Sequence, residues 1–158
     1  VARYQQWLKK IDYDNADLGS SWAGGVETEG NSVTPRRAAM IDQAFAHSFA
    51  NQWIEAWNNH DLEQVLSHYA DDFEMHSPVI AQIVGEPSGM LQGKQSVGAY
   101  WSQALQLLPD LQFELITVLA GVNSITLYYR GALDRLAAEV FHFGPDGKVV
   151  KAFAHYGV

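Results

Sequence analysis

The chain has 158 residues, a formal net charge of −8 and no cysteine. That length suits one domain with a sizeable core, and 47% apolar residues is the composition of a folded chain rather than a disordered one. The acidic balance argues against nucleic acid as a partner, because phosphate recognition needs clustered Lys and Arg, and the basic pairs are only Lys9-Lys10 and Arg36-Arg37. Disulfides, thiol nucleophiles and Cys-ligated zinc are excluded. No apolar run is long enough to span a bilayer and no signal-peptide pattern is present, so the expected setting is cytoplasmic, with no membrane partner.

Val1, Tyr4, Trp7, Leu8 and Ile11 fall at helical spacing. Asp12 to Asn31 is rich in Asp, Asn, Gly and Ser and reads as a surface loop with Trp22 as an anchor. Residues 1–33 are therefore expected to form a helix and arm, and residues 34–158 the domain. Thr34 can cap a helix that Pro35 opens. Ile41, Phe45, Phe49, Trp53 and Trp57 give that helix one wide apolar face up to Asn58. Asp61 caps a second helix with Gln64 three residues on, and Leu62, Val65, Leu66 and Tyr69 form its stripe. Phe73, Met75 and Ser77 then alternate with polar residues as in a half-buried strand that Pro78 ends. Ile80 to Gly93 reads as a hairpin or loop.

A third helix carries Val97, Tyr100, Trp101, Ala104, Leu105 and Leu108 before Pro109 stops it. The remainder alternates as strands: Leu111 to Leu119, Ile125 to Arg130, Asp134 to Phe143, and Val149 to Tyr156 after the turn Gly144-Pro145-Asp146-Gly147. Helices first and hairpin-linked strands last predict an α+β fold with a largely antiparallel sheet.

The stretches "WIEAWNNHDLEQVLSHYADDFEMHSPV", "LQGKQSVGAYW" and "AEVFHFGPDGKVVKAFAHYG" resemble the nuclear transport factor 2-like superfamily, which includes SnoaL-like proteins and ketosteroid isomerases. The resemblance runs from about Ile41 to the end. It implies a cone-shaped barrel of curved sheet and three helices around an apolar pocket, commonly dimerised through the outer sheet face. It does not fix the chemistry, since one fold hosts many functions. In ketosteroid isomerases the general base is an Asp before the Pro that ends the first strand; Ser77 holds that place here. Trp53 holds the place of their oxyanion Tyr, and Glu139 that of their protonated Asp. Polyketide cyclases and epoxide hydrolases place an Asp on the final strand where His155 stands, and Arg130 lacks the paired Asp that epoxide opening needs.

Glu139 and His155 are ionisable residues inside apolar runs on strands that the Gly-Pro-Asp-Gly turn makes neighbours. Strand parity is read here as placing Ala137, Glu139 and Phe141 with Phe153 and His155 on one pocket side. A buried Glu beside a His can exchange protons and serve as acid and base; the same pair can also be a structural hydrogen bond. Trp53, Trp57, Tyr69, Phe73, Met75, Ser77, Trp101, Phe141 and Phe153 are the expected pocket lining, and His76 faces away by parity. Zinc at His76, Glu139 and His155 would need all three to converge, and no metal-binding spacing supports it, so no metal or other cofactor is expected. The expected function is a cofactor-independent isomerase, lyase or cyclase acting on a hydrophobic organic molecule. The alternatives are a non-catalytic binding protein and an assembly module. A homodimer is expected because both sheet faces carry large apolar groups, Leu111 and Leu115 on one, Ile116 and Val118 on the other.

Overall fold

The computed structural model describes residues 41–158. The expected first helix, the arm with Trp22 and the Thr34 cap lie outside the described residues. Helix α1 spans Gln43–Asn58, α2 Leu62–Ser67, strand β1 Tyr69–His76, α3 Pro78–Val84, β2 Met90–Gln92, α4 Lys94–Leu107, β3 Glu114–Ala120, β4 Ser124–Arg130, β5 Leu136–Phe143 and β6 Val149–Tyr156.

Local chemistry accounts for the boundaries. Asp42 caps α1, its Oδ1 accepting the Phe45 N–H at 2.7 Å; Ile41 is not helical, so it is not part of the α1 apolar face. Asp61 caps α2 by accepting from Gln64 N–H at 3.0 Å. Ser77 caps α3 in the same manner through Val79 N–H, and Pro78 opens that helix. The segment from Ile80 to Gly93 is therefore not a plain loop: it contains the end of α3 and then β2, which pairs antiparallel with β1. Tyr69 is likewise not on a helical stripe but begins β1.

The six strands form one mixed sheet in the order β2-β1-β6-β5-β4-β3. Every neighbouring pair is antiparallel except β1 and β6, which run parallel. The sheet is open, with β2 and β3 at its edges, so it is not a closed barrel. Among the described residues there are four α-helices rather than three.

One sheet face is covered by helices. Phe49 and Trp53 of α1 meet Phe141 of β5 at ring-centroid distances of 4.9 and 5.3 Å. Trp101 of α4 meets Tyr69 and Phe73 of β1 at 5.2 and 5.9 Å. Ile125, Leu127 and Tyr129 of β4 point into the same core, as do Ala137, Glu139 and Phe141 of β5. From β6 the inward residues include Ala152 and Ala154. Small side chains there leave room for the rings that α1 and α4 bring in.

In β3 the register shifts between Leu115 and Thr117, and the bulge breaks the alternation read from the sequence. Leu115 and Val118 pack on the core, whereas Ile116 and Leu119 are exposed at 46% and 58%. Leu111 is buried ahead of the strand. Among the described residues, no helix is long and apolar enough to cross a membrane.

Candidate functional site

The centre of the core is polar in one place. Glu139 is 4% exposed, at the middle of β5, between Leu127 of β4 and Ala154 of β6. Tyr129, buried on β4, donates its hydroxyl to Glu139 Oε2 at 3.1 Å. Burial removes water from the carboxylate and pushes the acid up from 4.5 to about 7, against the opposing effect of the Tyr129 hydrogen bond. The same burial, reinforced by the Glu139 charge, raises Tyr129 well above the usual tyrosine value, so Tyr129 is a fixed donor rather than a proton carrier near neutrality.

Four more hydroxyls lie close by. Tyr100 of α4 is hydrogen-bonded to Ser77, and burial pushes its phenol up to about 12. The Ser77 and Tyr156 hydroxyls are 3.4 Å apart, and Tyr156 couples electrostatically to Tyr129. Tyr69, fully buried, accepts the Trp53 indole N–H at 2.9 Å, and burial followed by the Glu139 charge raises its phenol far above 10.0. The result is one carboxyl and four tyrosines with Ser77 and Trp53, set among Phe141, Phe73 and Trp101.

The expected Glu139–His155 pair is not formed. In the β5–β6 register Glu139 faces Ala154, while His155 faces Ala138. His155 is exposed on the opposite face of the sheet, so the reading of β6 parity is corrected. Phe153 is corrected with it: it shares the outer face and stacks on His76 at 4.5 Å and 16°. Lys151 carries the missed signal. A lysine there must reach solvent, and residues two and four positions on share its face. His76 faces outward as read, its Nε2 3.4 Å from Glu74. His76, Glu139 and His155 therefore do not converge, and among the described residues no group of three His, Asp or Glu could hold a metal ion. Arg130 is spent on Glu114 and Asp134 at the surface.

The other expected lining residues, Trp53, Trp57, Tyr69, Phe73, Met75, Ser77, Trp101 and Phe141, are all buried in the core. Trp53 does not offer its N–H freely, since Tyr69 takes it. Trp57 does: its Nε1 is buried and has no hydrogen-bond partner among the described residues. Sequence reasoning missed Tyr100, Tyr129 and Tyr156 as polar members of the site. Tyr128 and Tyr129 alternate on β4, and Tyr129 is the one buried.

The profile of the SnoaL-like domain family matches residues 50–152. A SnoaL-like protein of unknown function from Burkholderia thailandensis is 64% identical, with 75% of this chain and 99% of that chain covered and a TM-score of 0.73. A proposed isomerase of the SnoaL-like family from Agrobacterium tumefaciens is 17% identical over 73% of this chain and 100% of that one, TM-score 0.60. A proposed ketosteroid isomerase from Kribbella flavida is 15% identical over 73% and 79%, TM-score 0.54. The last two likenesses are of fold alone. Among curated proteins, none matches the chain.

Proposed function

This chain belongs to the SnoaL-like domain family of the nuclear transport factor 2-like superfamily, and from that premise we propose that its core handles a hydrophobic, uncharged organic molecule by acid–base chemistry at Glu139. The observation that carries the reading is a single carboxyl, 4% exposed, that titrates at about 7 among aromatic rings. A group poised there is present as acid and as base at neutral pH, which is the optimum for general acid–base catalysis.

The expected reaction is proton transfer at a carbon made acidic by a neighbouring carbonyl, as in an isomerisation, an elimination or an aldol-type cyclisation. Glu139 as carboxylate takes the proton, and the protonated acid then returns it to a second position or to a leaving oxygen. Tyr129 holds the carboxyl in place and withdraws charge from it. The hydroxyls of Tyr100, Tyr156 and Ser77 supply donors for charge that develops on the carbonyl oxygen. The Trp57 N–H, unpaired among the described residues, supports a ligand with an oxygen acceptor, because an unmet buried donor costs about 1–3 kcal/mol. The proposed chemistry draws on groups of the chain and needs no cofactor.

The test is deuterium uptake from D2O next to the carbonyl of 1-tetralone, 2-tetralone and 2-decalone, followed by NMR. Uptake that Glu139→Gln lowers by about 100-fold or more supports the reading. Uptake unchanged in Glu139→Gln overturns it. One observation favours a second reading, a binding protein without turnover. Ser77, in the place of the usual base, is occupied as the cap of α3 and as a partner of Tyr100. Binding of these ketones with no uptake in the wild type selects that reading.

A further inference from the structure

We propose a second small-molecule site in the cleft at the end of the sheet where β1 leaves β6, lined from the outer face by His76, Phe153 and His155 and at its base by Ser77 and Ala154, for an uncharged planar aromatic compound bearing a hydroxyl or ring N–H. This inference does not rest on the reading of Glu139.

The cleft follows from chain geometry. The parallel β1–β6 ladder ends at His76 and Phe153. Ser77 then turns the chain into α3, and Pro78 has no N–H with which to continue a ladder. β6 runs on to Tyr156, still paired with β5 on its other side. The loop after α3 closes the far wall. Gly89, at φ +66°, accepts the Ser77 N–H at 2.8 Å, and a Cβ there would meet the Ser77 carbonyl at 3.1 Å, so this wall is held close by a residue that has to be glycine. The gap left has a volume of about 480 Å³, within the range of small-molecule sites.

Its chemistry selects the occupant. The Phe153 and His76 rings stack on each other at 4.5 Å and 16° and bring aromatic surface to one wall of the cleft. Pro78, Ala81 and Pro87 supply an apolar floor. His155, paired with Ala138 through its backbone, lines the same cleft, and its side chain has no hydrogen-bond or ion-pair partner among the described residues, which leaves an imidazole able to donate and to accept. The surrounding charge disfavours an anion. Glu74 is matched by Lys151 at 2.9 Å, Glu86 adjoins the cleft wall through Ser88, and the whole chain carries −8. Glu86 is in turn held by Ser88 N–H and Oγ at 3.0 and 2.8 Å, so it is not poised to bind a cation.

The probes are 2-naphthol, naphthalene and 2-naphthoate, titrated into 15N-labelled full-length protein by two-dimensional NMR. The expected result is saturable shifts at His76, Phe153 and His155 with 2-naphthol, weaker binding of naphthalene at the same residues, and weaker binding still of 2-naphthoate. His155→Ala should reduce 2-naphthol affinity by about 3–10-fold and leave naphthalene unchanged. Because His155 is exposed, that variant keeps the fold. Absence of shifts at these residues overturns the proposal, as does equal binding of naphthol and naphthalene. Shifts confined to Trp53, Tyr129 and Glu139 overturn it too, while leaving the core reading intact.

Discussion

Replacing Glu139 by Gln should change how native stability depends on pH, and the magnitude follows from the position of the acid. In the folded chain the carboxyl titrates at about 7; its ordinary value is 4.5. Below 4.5 both folded and unfolded chains hold the proton and the group contributes nothing to the pH dependence. Between 4.5 and 7 unfolding releases a proton, so stability falls as pH rises, by about 1.4 kcal/mol per pH unit. Above 7 both states are ionised and the full cost, about 3 kcal/mol, is in place. Gln cannot ionise and still offers a carbonyl oxygen to Tyr129. The variant should gain on the wild type from pH 4.5 upward, by about 3 kcal/mol at pH 8. Urea unfolding at half-unit steps from pH 4.5 to 8, followed by tryptophan fluorescence, measures the difference. All other groups are common to the two proteins and cancel in the difference. A difference that stays flat from pH 4.5 to 8 refutes the reasoning.

Other outcomes follow from the same contacts. Tyr129→Phe removes the hydroxyl that Glu139 accepts, so urea unfolding should show a loss of about 1–3 kcal/mol at pH 8 and a smaller loss at pH 5, where the acid is neutral. Trp53→Phe leaves the buried Tyr69 oxygen without its donor and should cost about 2 kcal/mol or more by the same assay. The exposed Ile116 and Leu119 keep a homodimer as the proposed solution state; light scattering should give twice the 17.6 kDa chain mass, and the single-chain mass at micromolar concentration would contradict it.

The elements with strong local signals were legible. The four aromatic residues Phe45, Phe49, Trp53 and Trp57 announced α1, Asp61 announced α2, and Gly144 to Gly147 announced the β5–β6 turn, because each rests on chemistry within a few residues. Glu139 was legible as a buried carboxyl because an acid inside "LAAEVFHF" has no polar side to turn to. Its partner was not. "VVKAFAHY" has apolar residues at both parities, and the match of His155 to a pocket position of the resembled families suggested the wrong face. The core needed the alanines, because α1 and α4 fill the space opposite them with Phe49, Trp53 and Trp101. That is a tertiary fact that no local pattern contains, although Lys151 marked the outer face. The β3 bulge escaped for a similar reason: "ELITVLA" carries apolar residues at both parities, so it has no clear parity of its own. Helix α3 escaped because Gly85, Pro87 and Gly89 dominated the reading of its segment, while Ser77-Pro78, a cap followed by a first-turn proline, was the signal for it.

The most direct test of the account is the titration of the Glu139 carboxyl itself. In protein labelled with 13C, the side-chain carboxyl resonance of Glu139 is identified by its loss in Glu139→Gln and followed from pH 4 to 9. A midpoint near 7, moving upward in Tyr129→Phe, is the result predicted by a buried acid held by one phenolic donor. A midpoint near 4.5 in the wild type would show a carboxyl that water reaches, and would remove the physical basis for placing acid–base chemistry in this core.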